Sequence, residues 1–203
     1  MAYQDDIKKA AALLLPWNKL SGCNILVTGA TGLIGGCLVD VLMAHKGRNY
    51  NVYASGRNEE RAGRRFLKYA DDNAFHFVKY DVAQPLEYDV NFQYIIHAAS
   101  GAYPEEFIKH PVEVIKGNIN GLDNLMGYGI QHGIKRLLYI SSGEVYGEGD
   151  GRVFTENYSG YVDCTSLRSC YPSSKRAAET LCISYGAEYG LSLIHISEPT
   201  RRS

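Results

Sequence analysis

The feature that most constrains the fold is an apolar run that leads directly into three evenly spaced glycines. The run is Asn24–Thr28 (NILVT), and the glycines follow at positions 29, 32 and 35 in the pattern G-x-x-G-x-x-G. A continuous apolar run of this length is typical of a strand that is buried on both faces of a parallel sheet. Apolar residues at helical spacing follow over Leu33–His45. The segment therefore predicts the first strand, turn and helix of a βαβ unit.

Strands and helices continue to alternate along the rest of the chain. Further strands are predicted at 51–55, 74–80, 94–98, 136–141 and 191–196, and further helices at 5–15, 58–69, 111–132 and 171–189. Parallel strands joined by right-handed crossovers form one sheet with helices on both faces. We therefore predict an α/β fold, a Rossmann-like doubly wound parallel sheet. Ligands bind such sheets beyond the carboxyl ends of the strands.

Composition excludes several classes of protein. Of the 203 residues, 45% are apolar and 21% are charged, which is the balance of a globular domain. The net charge of −1 gives no reason to expect nucleic acid or an anionic membrane surface as a partner. No apolar run approaches the length of a membrane span. The five cysteines form no C-x-x-C pair and no zinc-type spacing with histidine, so we expect free thiols, no metal site and a cytoplasmic location.

The three glycines suit a phosphate-binding turn. Gly29 permits the tight turn, Gly32 lets a pyrophosphate approach the backbone, and Gly35 lets the helix pack close to the strand. The amino end of the helix then faces the phosphates. A plain glycine-rich turn is the alternative, but the strand–turn–helix context favours dinucleotide binding.

The choice between NAD and NADP depends on the end of the second strand. An acidic residue there would hydrogen-bond the ribose of NAD, and none is present. Arg57 is placed to meet the 2′-phosphate of NADP, with Arg61 one helical turn further on; the alternative is a solvated residue at a helix start. Asp81, after the third strand, could accept a hydrogen bond from adenine or could cap a turn.

Two segments carry residues suited to catalysis. Tyr171 and Lys175 have the spacing Y-x-x-x-K and share one face of a predicted helix. Free tyrosine is a poor base at neutral pH, and a neighbouring ammonium favours the phenolate. Ser142 lies at the carboxyl end of the fifth strand, where its hydroxyl could hydrogen-bond a substrate oxygen.

Together these motifs resemble the extended short-chain dehydrogenase/reductase superfamily, in its nucleotide-sugar epimerase/dehydratase/decarboxylase branch. The resemblance covers about residues 21–190 and is carried by TGATGLIG (28–35), Asp81-Val82, HAAS (97–100), the Asn118-x-x-Gly121-x-x-Asn124 motif, SSGEVYG (141–147) and YPSSK (171–175). It implies that Tyr171 is the base, that Lys175 is its partner and that Ser142 aligns the sugar oxygen.

The resemblance also implies a cofactor site. NAD is the expected cofactor, with NADP as the alternative. Asn118 would support the site, and His97–Ser100 would border the nicotinamide. The residues expected to contact the cofactor are Gly29, Thr31, Gly32, Leu33, Ile34, Gly35, Arg57, Asp81, Val82, His97, Ala98, Ala99, Asn118 and Lys175.

Finer likeness points toward UDP-glucuronate decarboxylases. It lies in HAAS followed by Pro104, in PVEVIKGN (111–118) and in Arg168-Ser-Cys-Tyr-x-x-x-Lys-Arg. Glu144 matches an acidic position shared with hexose 4,6-dehydratases, but Gly143 stands where dehydratases usually carry Asp, which argues against 4,6-dehydration. Two features depart from the decarboxylases: no acid stands at Gly56, and Ser142 replaces the usual Thr.

The mechanism implied by the resemblance passes through a 4-keto sugar. Tyr171 removes the proton from the C4 hydroxyl while hydride passes to the nicotinamide, and the keto sugar then loses CO₂, epimerises or eliminates water. Glu144 could handle a proton at C5, or could be an exposed loop acid. Two other functions stay open, namely an NADP-dependent carbonyl reductase of the same superfamily and a non-catalytic dinucleotide-binding module.

The end of the chain has two interpretations. Residues 191–201 (LSLIHISEPTR) resemble the in-frame translation of a transposase adapter used in sequencing libraries, while periodicity alone would accept a native sixth strand ending at Ser197. We expect an N-terminal helical extension at 1–20, a dinucleotide-binding domain at 21–190 and a non-native tail at 191–203. The C-terminal substrate lobe would then be missing, the fragment weakly active or inactive, and the full-length form a homodimer that binds a nucleotide sugar.

Overall fold

The computed structural model describes the backbone of residues 2–196 and the side chains of residues 2–192. Six parallel strands form one sheet in the order β3-β2-β1-β4-β5-β6. The strands are β1 (Asn24–Thr28), β2 (Asn51–Gly56), β3 (Phe75–Lys79), β4 (Tyr94–His97), β5 (Arg136–Ile140) and β6 (Leu193–Ile196). The doubly wound parallel sheet predicted from the sequence is confirmed, with the chain order reversing beside β1, as at a ligand-binding crevice.

Helices cover both faces of the sheet. They are α1 (Ala2–Ala11), α2 (Leu33–Ala44), α3 (Glu59–Phe66), α4 (Pro104–Lys109), α5 (Pro111–His132) and α6 (Cys170–Tyr189). Short 3-10 helices span Trp17–Leu20, Leu67–Tyr69, Gly143–Tyr146 and Leu167–Ser169. The limits predicted for α5 are confirmed at both ends, and those for α2 and α6 to within one residue.

The first helix ends earlier than predicted. It stops at Ala11, not at residue 15, and Leu13, Leu14 and Leu15 are exposed. The apolar face of the helix is buried only as far as Ala11, so no packing supports a further turn. Pro16 also disfavours helical geometry at the residue before it.

The sheet separates two hydrophobic cores because successive side chains of a strand point to opposite faces. In β1, Ile25 and Val27 pack with α2 and α3, whereas Leu26 packs with α5 and α6. All three of these β1 side chains are buried. Because both faces of β1 are buried, its sequence is a continuous apolar run and does not alternate with polar residues.

A buried carboxylate connects α1 to α2 and α3. Asp40 on α2 accepts hydrogen bonds from the hydroxyls of Tyr3 (2.7 Å) and Tyr69 (2.9 Å). It also pairs with Arg65 at 2.6 Å and with Lys68 at 3.0 Å. Burial alone would raise the pKa of Asp40, but these hydrogen bonds outweigh it and lower the pKa to about 2.

At the other end of the chain, Leu193–Ile196 pairs in parallel with β5, as periodicity allows. Residues 197–203, the rest of the expected tail, lie outside the described residues. No helix within residues 2–196 is long and apolar enough to cross a bilayer. In the same part of the chain, no three His, Cys, Asp or Glu residues are grouped so as to hold a metal ion.

Candidate active site

The glycine turn lies against the end of β4. Gly29 has φ +66°, and a Cβ placed on it would lie 2.6 Å from the carbonyl oxygen of Ala98 and from the amide nitrogen of Ala99. A Cβ on Gly35 would lie 2.4 Å from the carbonyl oxygen of Gly29. Neither glycine can therefore carry a side chain without moving the backbone. Gly32 has no positive φ. Among the described residues, a Cβ placed on Gly32 would come close only to the carbonyl oxygen of Gly29, at 3.2 Å, so a side chain there meets little of the protein itself.

The amino end of α2 is open to solvent beside this turn. Leu33 and Ile34, the first residues of the helix, are exposed. The first amides of a helix have no acceptor within it, and with the helix dipole they favour an anion. Thr31 lies beside the end of β2, 3.6 Å from the place where a Cβ on Gly56 would stand. The absence of side chains at Gly29 and Gly32, together with the open helix end, fits a dinucleotide pyrophosphate.

Arg57 and Arg61 lie at the outer end of β2 and on α3. Both are exposed, and within residues 2–192 neither guanidinium has a hydrogen-bond or ion-pair partner. Asn58 between them caps α3, since its side chain accepts a hydrogen bond from the backbone of Arg61. Two unpaired cations beside the turn would suit a phosphate group.

Asp81 and Val82 form the loop after β3. The Asp81 carboxylate accepts a hydrogen bond from the Ala83 amide at 3.1 Å, which is the turn-capping role left open by the sequence. Val82 packs on α5, where a Cβ on Gly121 would lie 3.1 Å from a methyl group of Val82. The carbonyl of Val82 accepts from the side chain of Asn124 at 2.9 Å. Asp81 and Val82 are thus tied to the helix that carries Asn118.

His97, at the end of β4, is buried in the sheet. Its Nδ1 lies 2.7 Å from the hydroxyl oxygen of Thr28, and its Nε2 has no partner among the described residues. Burial, together with the nearby charge of Lys175, lowers the pKa of His97 to about 3. The ring is therefore neutral at physiological pH and cannot act as a cationic ligand for phosphate.

The catalytic candidates meet at the end of β5. Lys175 on α6 donates to the carbonyl of Ile140, the last residue of β5, at 3.0 Å. Its ammonium lies 5.8 Å from the centre of the Tyr171 ring. Ser142 follows two residues after Ile140, and its Oγ accepts from the Glu144 amide at 3.2 Å. Burial lowers the pKa of Lys175 to about 8, although Glu179 partly opposes this effect.

A chain of hydrogen bonds supports the backbone of Tyr171. Ser100 donates to the side-chain oxygen of Asn118 at 2.8 Å, and the Asn118 amide donates to Ser174 at 2.9 Å. Ser174 donates to the carbonyl of Tyr171 at 3.0 Å. Asn118 thus links the loop after β4 to the first turn of α6. Sequence reasoning did not single out Ser174, although it belongs to the YPSSK motif.

Two further side chains lie against Tyr171, and sequence reasoning did not assign them to the site. Phe107, on the unpredicted helix α4, stacks on the Tyr171 ring at 4.6 Å between centroids and 22° between planes. The guanidinium of Arg168 lies 4.7 Å from the Phe107 ring and pairs with Glu144 at 2.7 Å. Glu144 is therefore paired with Arg168 and is not a free loop acid. The RSCY motif placed Arg168 near the tyrosine, but no local signal pointed to Phe107.

This arrangement is suited to proton transfer at an alcohol. A phenol, a buried ammonium and a hydroxyl are gathered at the carboxyl end of β5, and the glycine turn lies at the end of β1, two strands away in the same sheet. A neighbouring ammonium favours the phenolate of a tyrosine.

Known proteins match most of this chain. Residues 25–197 match the model of the NAD dependent epimerase/dehydratase family. The chain is 35% identical over 176 residues to UDP-glucuronic acid decarboxylase 6 of Arabidopsis thaliana, covering 85% of this chain and 49% of that protein. It is 33% identical over 169 residues to UDP-glucuronic acid decarboxylase 1 of Danio rerio, covering 82% of this chain and 38% of that protein. The chain thus spans about half the length, or less, of these curated relatives.

Solved structures share the fold. UDP-glucose 4-epimerase of Thermotoga maritima, solved with UDP-glucose, is similar with a TM-score of 0.67 at 24% identity, covering 85% of this chain and 54% of that one. The dTDP-glucose 4,6-dehydratase of Streptomyces venezuelae, solved with NAD, has a TM-score of 0.71 at 22% identity, covering 86% and 55%.

Proposed function

This chain belongs to the NAD dependent epimerase/dehydratase family, and we propose that it is the dinucleotide-binding and catalytic part of a nucleotide-sugar-modifying enzyme. The observation that carries the proposal is the position of Lys175, which lies 5.8 Å from the Tyr171 ring and donates to the last carbonyl of β5, two residues before Ser142. The glycine turn is in the same sheet. A structural role alone would not require a buried lysine and a tyrosine at that edge of the sheet.

The proposed cofactor is NAD, with NADP as the alternative. The turn around Gly29 and Gly35, with the open end of α2, would hold the pyrophosphate. When bound, a nicotinamide dinucleotide supplies a hydride acceptor and donor. Lys175 would reach the nicotinamide ribose, and His97 to Ala99 would border the ring. The unpaired Arg57 and Arg61 favour a 2′-phosphate, whereas the Streptomyces relative is described with NAD bound.

Each catalytic side chain has one proposed task. Tyr171, as phenolate, accepts the proton of the sugar C4 hydroxyl, and the charge of Lys175 stabilises that phenolate. Ser142 holds the same sugar oxygen by a hydrogen bond. Loss of the hydroxyl proton, with transfer of the C4 hydride to the bound dinucleotide, would leave a 4-keto sugar in which a carboxylate or a proton at C5 is labile. Glu144, held by Arg168 at 2.7 Å, lies at the same strand end and is the proposed acid or base at C5.

Decarboxylation of UDP-glucuronate is the finer proposal, with 4-epimerisation as its closest rival. The curated relatives described above are named UDP-glucuronic acid decarboxylases and are more than 30% identical to this chain. Gly143, where 4,6-dehydratases usually carry an acid, argues against 4,6-dehydration and leaves decarboxylation and epimerisation as the two candidates.

The proposed whole protein is longer than this chain. Since the chain spans about half of its curated relatives or less, we propose that a C-terminal lobe selects the sugar. We also propose that the full-length protein is a cytoplasmic homodimer. Residues 191–203 are proposed to be a non-native tail that replaces the start of this lobe. Resequencing the genomic locus tests this, and a native SEPTRRS terminus would contradict it.

Turnover by the full-length protein tests the proposed reaction. With UDP-glucuronate and NAD, we expect CO₂ release without net accumulation of NADH. Tyr171→Phe should lower the rate about 100-fold or more, because it removes the base. The control is Tyr161→Phe, at an exposed tyrosine, which should leave the rate unchanged. Undiminished turnover by Tyr171→Phe would refute the assigned base.

A second candidate, an NADP-dependent carbonyl reductase, is favoured by the unpaired Arg57 and Arg61. It predicts net consumption of NADPH with a carbonyl substrate. It also predicts that Arg57→Ala weakens NADP binding to the 203-residue chain while NAD binding is unchanged. Dinucleotide binding without turnover of any sugar nucleotide by the full-length protein would favour a non-catalytic module.

A further inference from the structure

Lys175 carries a buried ammonium with little hydrogen bonding to compensate it. Its side chain is 2% exposed, and of its three possible hydrogen bonds the described residues supply one, to the Ile140 carbonyl. Glu179, on the same helix, is the acidic group whose charge raises the pKa of Lys175, but its carboxylate forms no ion pair with the ammonium within 4.0 Å. Burying a charge is costly unless other groups stabilise it.

An aromatic ring lies directly beside this ammonium. The Nζ of Lys175 is 4.6 Å from the centre of the Tyr139 ring, nearer than the 5.8 Å to the Tyr171 ring. A cation within about 6 Å of an aromatic face is attracted by the ring quadrupole, and more strongly when both are removed from water. Tyr139 is 1% exposed, so this attraction is not screened by solvent.

The Tyr139 ring is held in place by the sheet. In the strand register Tyr139 is opposite His97, which is itself opposite Thr28, so the three form a row across β1, β4 and β5. The rings of His97 and Tyr139 lie 5.7 Å apart between centroids. The hydroxyl of Tyr139 has no partner among the described residues. The phenol group therefore anchors nothing there through its oxygen, and its contact with Lys175 is made by the ring.

We propose that Tyr139 is a positioning residue for Lys175, with its ring face keeping the buried ammonium charged and directed toward the base and the cofactor ribose. The part of this statement that concerns the ribose rests on the proposed function. The titratable groups around the pair are Tyr171, Glu179 and Cys182 on α6 and His97 on β4. The α5 residue near the first turn of α6, Asn118, is uncharged.

Titration of Lys175 itself tests the proposal without any ligand. In the 203-residue chain labelled with ¹³C at lysine Cε, the Lys175 signal is identified by its absence from Lys175→Met. Because the ring favours the charged form, Tyr139→Leu should lower the Lys175 titration midpoint by about one pH unit. Tyr139→Phe keeps the ring and should titrate as the wild type does. An unchanged or raised midpoint in Tyr139→Leu would overturn the proposal.

Loss of packing must be separated from loss of the ring. Thermal unfolding is measured for each variant, and if Tyr139→Leu does not fold, Tyr139→Met replaces it because its flexible side chain fills space without a ring. The same decrease in the titration midpoint is expected for Tyr139→Met. A midpoint that falls equally in Tyr139→Phe would assign the effect to the hydroxyl and overturn the role of the ring.

Dinucleotide binding gives a second measurement, which also separates this proposal from the proposed function. At about pH 9, above the titration midpoint of Lys175, the Kd of the chain for NAD should rise about threefold to tenfold in Tyr139→Leu and stay near the wild-type value in Tyr139→Phe. In the Lys175→Met background, substitution of Tyr139 should have no further effect on the Kd. The wild-type Kd should rise as pH increases through the pKa of Lys175, because the ammonium is lost. In Tyr139→Leu this rise in Kd should occur at lower pH. A uniform loss at all pH values would indicate packing alone and contradict the proposal. If wild type binds neither NAD nor NADP, the cofactor assignment fails, while the lysine titration still decides the role of Tyr139.

Discussion

At the scale of single residues, the site depends on places where a side chain is not tolerated. Gly35 lets the start of α2 approach the Gly29 carbonyl so closely that a methyl group would stand 2.4 Å from its oxygen. That neighbour is backbone and cannot rotate away. The same turn contacts the Ala98 carbonyl at the end of β4, so a displacement here would also disturb the residues proposed to border the nicotinamide.

Gly35→Ala is therefore expected to separate α2 from the turn. We expect a loss of about 1–3 kcal/mol in the free energy of unfolding from overpacking, and a weaker Kd for NAD by calorimetry. Gly63→Ala is the matched control, because Gly63 is in α3 with nothing within 4 Å of its added Cβ. Alanine should stabilise that helix by about 0.5–1 kcal/mol. Equal effects of the two variants would contradict the close-packing argument.

At the scale of elements, most helices and strands could be predicted from apolar periodicity. All six strands lie where the alternation placed them, to within two residues at each end. The short helix α4 was not predicted, since its six residues are too few to show a helical period. The first helix was predicted at 5–15 and lies at Ala2–Ala11; its end was placed four residues too late because Leu13 to Leu15 continue an apolar pattern that no partner buries. Burial of Ile7 and Ala11 on its apolar face and the hydrogen bond from Tyr3 to Asp40 hold α1 in place.

The Asp40 cluster makes the docking of α1 depend on pH. The pKa of Asp40 lies near 2 in the folded protein, below its ordinary value of 3.8, so its stabilising contribution is complete above about pH 5 and is lost as pH falls toward 2. Asp40→Asn should cost about 2–4 kcal/mol in the free energy of unfolding at pH 7, because Arg65 and Lys68 lose their buried counter-charge.

The difference in the free energy of unfolding between wild type and Asp40→Asn should decrease by about 2 kcal/mol as pH falls from 5 to 2. Urea unfolding at several pH values measures it. Asp6→Asn, at an exposed aspartate on α1, is the control and should change stability by less than about 0.5 kcal/mol. A gap between wild type and Asp40→Asn that stays constant over this range would show that Asp40 does not titrate with a lowered pKa.

At the scale of the whole molecule, one sheet joins two cores that share no side chain. The core against α2 and α3 includes Val39, and the core against α5 and α6 includes Leu125; both residues are 0% exposed. Because the same strands bury side chains on both faces, the loss of either core removes support for the other. We therefore expect the chain to unfold in one cooperative transition.

Truncation on each face tests this cooperativity. Leu125→Ala should lower the free energy of unfolding by about 2–5 kcal/mol, and Val39→Ala by somewhat less. Each variant should show one urea transition with a lower midpoint and an unchanged slope. In the double variant the two losses should add to within about 0.5 kcal/mol, since the sheet separates the sites. Leu14→Ala, at a fully exposed residue, should have no effect. Two separate transitions in either core variant would show that the faces unfold independently.

The sequence by itself determined the parallel sheet, the glycine turn after β1, and the spacing that places Tyr171 and Lys175 on one helical face. These features follow from periodicity and backbone conformation, which neighbouring residues set locally. Only the tertiary structure decided that Phe107 stacks on Tyr171, that Arg168 holds Glu144, and that the ring of Tyr139 lies beside the Lys175 ammonium. Each of these contacts joins residues from different elements of the chain. Its geometry depends on how helices pack on the sheet, which no local pattern specifies.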